Sequence, residues 1–265
     1  MSGHRSKHAS RIYAPLLAAL LTLCAAHAFA IDDEIQVYTD DINKPGDFGL
    51  ELHMNTTPAG RNTPNYPGDS IPWHGLRVTP EFSYGLTRDF EAGLYLPTVR
   101  EADGSLSASG VKLRLKWLPL KPEEGSAGWY SGVNFELARV DQRYSEVPLT
   151  SEVRTIFGYH AESWLIGINP VFDFDLSPGY RNGGPDFIVG IKAVHDVLPG
   201  IALGTEYYTS VGKLAHPLSH SLQENTLYAV MDFDRKPWVF NVGVGRGLTG
   251  ATDQWTVKAI FEVPF

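Results

Sequence analysis

The residues best suited to acyl-transfer chemistry fall in one short stretch, His216-Pro217-Leu218-Ser219-His220-Ser221, with Glu224 just beyond. A hydroxyl near an imidazole and a carboxylate supplies the parts of nucleophilic catalysis, the base taking the proton of the attacking oxygen. The stretch contains Pro217 and reads as a loop, and a triad depends on geometry that spacing alone does not supply. His53, His74, His160 and His195 are scattered singly and read as structural residues rather than metal ligands. The acidic runs Asp32-Asp33-Glu34 and Asp40-Asp41 offer oxygens for calcium but lack the regular spacing of a calcium loop, so a solvated tail is expected. Gly243-Val244-Gly245-Arg246-Gly247 has no helix pattern after it and is no phosphate loop. No catalytic residue, metal or cofactor is expected.

A larger set of ionisable residues is spaced at period two. On strand spacing Glu51, Arg77, Glu81, Glu91, Lys112, Arg114, Lys116, Glu136, Arg154, Asp173, Lys192, Glu206, Asp232, Lys258 and Glu262 share one face of their segments. The other face is apolar. Gly110–Leu118 shows this most cleanly: Val111, Leu113, Leu115 and Trp117 alternate with Lys112, Arg114 and Lys116. Fifteen charges cannot sit in a dry protein core without severe desolvation, so the polar face must line a wet lumen or a salt-bridged plug of side chains. The two signs nearly balance. The cations of Gly110–Leu118 either attract an acidic solute or, the favoured reading, pair with Glu91 and Glu136 next door.

The elements that position these residues are twelve expected strands: Asp47–Asn55, Gly75–Gly85, Phe90–Pro97, Gly110–Leu118, Trp129–Ala138, Glu152–Tyr159, Trp164–Phe174, Asp186–Val194, Ile201–Ser210, Thr226–Phe233, Trp238–Gly245 and Thr252–Phe265. Two of them, Glu152–Tyr159 and Trp164–Phe174, carry apolar residues such as Ile156 and Leu165 on the presumed inner face. A short strand at Glu34–Tyr38 is a further candidate. The connections alternate long and short along the chain, beginning and ending with long ones. That sorting suits a twelve-stranded antiparallel up-and-down transmembrane β-barrel, with ten or fourteen strands as the neighbouring counts.

Residues 1–30 read as a secretory signal peptide: Arg5, Lys7 and Arg11, then an apolar run to Ala26, then Ala28-Phe29-Ala30 for cleavage. The sole cysteine, Cys24, lies inside it. Residues 31–45 form an acidic lead-in and 46–265 the barrel. Beyond residue 30 there are 19 basic and 30 acidic residues, a net of −11, which argues against nucleic acid as a partner. No later apolar run approaches the ~20 residues of a membrane-spanning helix, which leaves a closed barrel as the only route across lipid.

Two resemblances and one placement follow from particular residues. Thr252–Phe265, alternating and ending on Phe265, resembles the closing strand of bacterial outer-membrane β-barrels, which implies recognition by the barrel-assembly machinery. Phe90, Trp117, Trp129, Trp164, Trp238 and Phe265 gather at one edge of such a barrel, as an aromatic girdle against outer-membrane lipids. Tyr84–Pro97 (YGLTRDFEAGLYLP) resembles a strand–turn–strand phrase of the meta-pathway phenol-degradation porin-like proteins, which implies uptake of small or aromatic compounds. The loop at Ser219 lacks the His-x-Ser-Asn-Gly context of outer-membrane phospholipases and lipid A deacylases. The expected function is a porin-like channel in the bacterial outer membrane for small solutes, aromatic or acidic ones included. The alternatives are a non-conducting structural or binding barrel, then an outer-membrane lipid hydrolase.

Overall fold

The computed structural model describes residues 34–263 apart from residue 124. The expected signal peptide, Asp32, Asp33 and the terminal Phe265 lie outside the described residues. The strands are β1 (Phe48–Ala59), β2 (Leu76–Gly85), β3 (Phe90–Tyr95), β4 (Thr98–Arg100), β5 (Leu106–Ala108), β6 (Gly110–Leu120), β7 (Gly128–Val140), β8 (Leu149–His160), β9 (Trp164–Asp175), β10 (Asp186–Leu198), β11 (Ile201–Lys213), β12 (Glu224–Arg235), β13 (Trp238–Gly247) and β14 (Trp255–Glu262). Their pairing is antiparallel throughout and closes on itself, because β1 pairs with β2 on one side and with β14 on the other. Twelve strands make the wall. The short β4 carries β3 onward past the Leu96-Pro97 step, and β5 leads into β6.

Closure explains why strands form here at all. In lipid every backbone N–H and C=O needs a protein partner, and a closed ladder leaves no edge. The alternation then follows from the surroundings of each face. Along β6, Leu113 is 55% exposed and Leu115 40%, whereas the intervening Arg114 is 6% exposed and Lys116 7%. Phe135, Leu137, Phe157, Ile166, Ile168, Leu203, Leu227, Val244 and Val257 continue an exposed apolar band around the outside. So continuous a band exceeds what a soluble surface carries and suits a hydrocarbon solvent.

Connections at one end are short (86–89, 121–127, 161–163, 199–200, 236–237), and at the other mostly longer (60–75, 101–105, 141–148, 176–185, 214–223, 248–254). The first wall strand starts and the last one finishes at the short-turn end: Gly46 N donates to Gly85 O at 2.8 Å and Val263 N to Leu50 O at 2.8 Å. Several expected boundaries are corrected. Strand pairing runs further into the long connections, so Thr98–Ser109, expected as a loop, holds the β4–β5 hairpin with Gly104 at φ +89° in its turn. That backbone conformation costs a glycine little and other residues more.

The lead-in is a larger correction. Residues 34–45 are neither a solvated tail nor a strand; Glu34, Ile35, Val37, Tyr38 and Thr39 are buried. The segment runs inside the barrel, and two apolar clusters form around it. Ile35 packs with Val194, Ala202, Tyr228 and Val230. Tyr38 packs with Leu118, Tyr130 and Ile156, and Leu165 touches both clusters.

Tyr130 shows how tightly this region is fitted. From β7 its hydroxyl passes under β8 to donate to Ile166 O on β9 at 3.0 Å. The path is free because the cross-strand pair Gly158 and Gly167 is bare; a Cβ at Gly158 would lie 2.1 Å from Tyr130 Oη. Overpacking of this kind costs ~1–3 kcal/mol, and loss of one hydrogen bond about 1. Gly158→Val is therefore expected to lower the temperature at which the folded gel band converts to the unfolded one, and Tyr130→Phe to lower it less. Adding Tyr130→Ala to Gly158→Val should restore only part of the loss, since a Cβ at Gly158 would also lie 2.2 Å from Ile166 O. A Tyr130→Phe loss as large as that of Gly158→Val would contradict this packing.

Candidate functional site

The inner wall carries two ionic arcs. On the first, Arg114 lies 2.8 Å from Glu81 and 2.5 Å from Glu91, with Lys116 3.6 Å from Glu91. His53 Nε2 meets Glu81 at 2.9 Å and Glu51 at 3.6 Å, and Arg77 donates to Asn55 Oδ1 at 3.3 Å. Next to these, Lys112 is 3.3 Å from Glu136, and Arg154 is 2.8 Å from Glu152. On the second arc Lys192 contacts Asp232 at 2.7 Å and Glu206 at 3.5 Å, and Lys258 pairs with Glu206. Buried pairs of this kind are expensive to break from one side, ~3–5 kcal/mol, because a charge is then stranded.

Residues 34–45 enter from the short-turn end. Gly85 makes room: a Cβ there would lie 2.1 Å from Lys44 O. Asn43 N donates to Glu91 Oε2 at 2.7 Å and its side chain to Ser83 at 2.8 Å. Lys116 Nζ donates to Asp41 O at 3.1 Å, and His160 Nδ1 lies 2.9 Å from Asp40. Burial and the neighbouring Asp41 carboxylate push the Asp40 carboxyl up, against the opposing contact with His160.

Tyr38 is the centre of the assembly. One side chain, Asn169, takes both of its backbone groups, accepting from Tyr38 N at 2.6 Å and donating to Tyr38 O at 3.0 Å. The phenol oxygen lies 2.7 Å from that of Tyr95 and donates to Glu136 at 3.3 Å. Three cations stand over the ring: Arg154 at 4.5 Å, Lys116 at 4.9 Å and Arg114 at 5.6 Å. Further along, Arg154 donates to Gln36 O at 2.9 Å and Lys258 to Ile35 O at 2.9 Å, while Lys112 sits 3.5 Å from Glu34. Burial alone would push the Glu34 carboxyl up; the fields of Lys112 and Arg154 outweigh it and hold it below the ordinary range.

Most of the fifteen residues with expected inward positions meet in these two arcs. Asp173 lies half-buried between Glu152 and Asp186 on the strands either side, with no cation of the arcs against it. Glu262, opposite Glu51 on the inner face, sits at the rim, 48% exposed and 3.6 Å from Lys236. The residues that sequence reasoning missed are those of the segment and Asn169. His216, Ser219 and His220 do not assemble: all three are exposed, and among the described residues the side-chain partner of Ser219 Oγ is Ser221 Oγ, at 3.5 Å. Outside the barrel, Phe90, Trp117, Trp129, Trp164 and Trp238 are exposed at the short-turn end. Cross-strand partners extend the ring there: Phe90 stacks on Trp117 at 6.0 Å, Trp129 meets Tyr159 at 5.0 Å, Trp164 stacks on His195 at 4.7 Å and Phe233 on Phe240 at 4.6 Å.

No protein-family model matches the sequence, and no curated protein matches it. Solved structures do match. The crystal structure of the COG4313 outer membrane channel from Pseudomonas putida F1 is similar over 88% of this chain and all of that one, with a TM-score of 0.60 at 10% identity. The chain therefore has the fold of that channel. Weaker likenesses are to OccD1 (OprD), with a TM-score of 0.40, 10% identity and 82% of this chain against 65% of that one, and to the DcaP channel of Acinetobacter baumannii, at 0.37, 9%, 87% and 100%.

Residues 31–265 contain no cysteine, so Gln36→Cys gives a unique label on the segment. Asn169→Leu strands two buried backbone groups of Tyr38, at ~1–3 kcal/mol each. In that background the thiol at position 36 is expected to react with a water-soluble maleimide at least about tenfold faster, since 1.4 kcal/mol is a factor of ten. An unchanged rate would mean that Asn169 does not hold the segment.

Proposed function

We propose that the chain is a porin-like channel of the bacterial outer membrane for small solutes, closed in the described state by its own residues 34–45. One observation carries this reading. Among the described residues no backbone–backbone hydrogen bond joins that segment to the barrel wall; side chains hold it. It can therefore leave without opening a strand ladder, and the wall left behind carries the two ionic arcs beside the apolar patches around Val194 and Ile156. The exposed apolar band and the aromatic ring suit a bilayer, and the short-turn end suits the periplasm. Export would remove residues 1–30, and the strand ending at Phe265 would be offered to the assembly machinery.

The chemistry the wall presents also points to a solute class. It holds a phenol ring and a carboxylate of the segment, Tyr38 and Glu34, among Arg114, Lys116, Arg154 and Lys112. A small aromatic or acidic solute would meet the same groups. The second reading, a non-conducting binding barrel, is favoured by the burial of Arg114, Lys116, Glu206 and Lys258, each under a tenth exposed.

Planar-bilayer recording separates the two. Chain 31–265 is expected to give small, intermittent openings, and a chain lacking residues 34–43 a unitary conductance several-fold larger. Tyr38→Ala with Asn169→Ala, which keeps the length, should move in the same direction. Folded barrels of all three forms that pass no current would overturn the channel reading and leave the binding barrel.

A further inference from the structure

We infer that Glu51, His53 and Glu81 form a binding site for one divalent transition-metal ion of the zinc type on the inner wall. This goes beyond the channel reading and does not depend on it. The three residues come together through strand geometry alone. Glu51 and His53 are two apart on β1, so both point into the barrel, and Glu81 on β2 is the direct cross-strand partner of Glu51. One ligand atom from each lies within 4.8 Å of the other two. His53 Nε2 is 2.9 Å from Glu81 Oε2 and 3.6 Å from Glu51 Oε2. Metal–ligand bonds of about 2.0–2.2 Å in a tetrahedron place ligand atoms roughly 3.3–3.5 Å apart. The two separations from His53 bracket that value and the third is no more than 4.8 Å, within reach of a rotamer change of the Glu51 side chain.

The surroundings favour a built site over a chance meeting. Glu81 presents one oxygen to His53 while Arg114 holds the other at 2.8 Å, and Arg114 is itself fixed by Glu91 at 2.5 Å. An outer partner of this kind orients a ligating carboxylate. His53 is 2% exposed, its ring 6.2 Å from that of Tyr95, which limits its freedom to turn away. The Glu51 side chain is 35% exposed, so solvent reaches one side of the cluster and a water or solute group can supply a fourth ligand. An imidazole with two carboxylates suits zinc or a neighbouring first-row ion better than magnesium, which prefers an all-oxygen shell. The competing reading is that His53 carries a proton and bridges the two carboxylates unaided.

The test is calorimetric titration of Zn²⁺ into detergent-folded chain 31–265 carrying no histidine tag, with Co²⁺ as a spectroscopic probe. We expect saturable binding of one Zn²⁺ per barrel. Glu51→Gln, at the more open position, should weaken it at least about tenfold, and His53→Gln should abolish it. Co²⁺ should give the visible absorption of a four-coordinate nitrogen–oxygen site, and that band should change in Glu51→Gln. No saturable binding to the wild type, or binding and a cobalt spectrum unchanged in a folded Glu51→Gln barrel, would overturn the assignment. The Glu51 comparison decides the matter even if His53→Gln fails to fold.

Discussion

Lipid offers polar groups nothing to bond to, and the rest of the structure depends on that constraint. The backbone meets it by closing its ladder, β1 against β14. The side chains meet it by turning the charges along the middle of the spanning strands toward the inside, where each needs a partner of opposite sign, while Arg139, Arg235 and Arg246 sit exposed near strand ends. Arg114 between Glu81 and Glu91, and Glu206 between Lys192 and Lys258, are the local results. Apolar residues are left to cover the outside, in the reverse of a soluble core.

A barrel of twelve strands is too wide for its own side chains to satisfy every such group. The segment at 34–45 supplies what is missing: carbonyls for Lys116, Arg154 and Lys258, a ring beneath three cations, and apolar residues over Val194, Val230 and Ile156. The wall answers with Asn169, whose amide replaces the hydrogen bonds a neighbouring strand would have provided. The lumen and its contents are thus one network of ionic, hydrogen-bonded and apolar contacts.

The fold was legible from sequence where each face of a strand has one uniform environment. In Val111–Trp117 lipid lies on one side and ions on the other, so residues alternate cleanly. Legibility fails where the inner face meets the segment. Ile156 and Leu165 break the alternation because they face the segment's apolar side, with Tyr38 against both. The segment itself has no period to read, since its partners are scattered from Ser83 to Lys258. The apolar Ile35 and Val37 among acidic neighbours were the available signal against a solvated tail. His53 reads as a lone histidine for the same reason: Glu81 reaches it across a strand pair, 28 residues along the chain.

The central claim is that hydrocarbon, rather than protein or water, covers the outer face. All six tryptophans, Trp73, Trp117, Trp129, Trp164, Trp238 and Trp255, are more than 40% exposed on the barrel's outside or rim. Their fluorescence in vesicles of brominated phospholipid tests the claim directly. The account predicts quenching, strongest when bromine sits near the headgroups and weaker when it sits at the bilayer centre. A folded, monodisperse chain in detergent-free buffer, with tryptophan emission untouched by brominated vesicles, would contradict it.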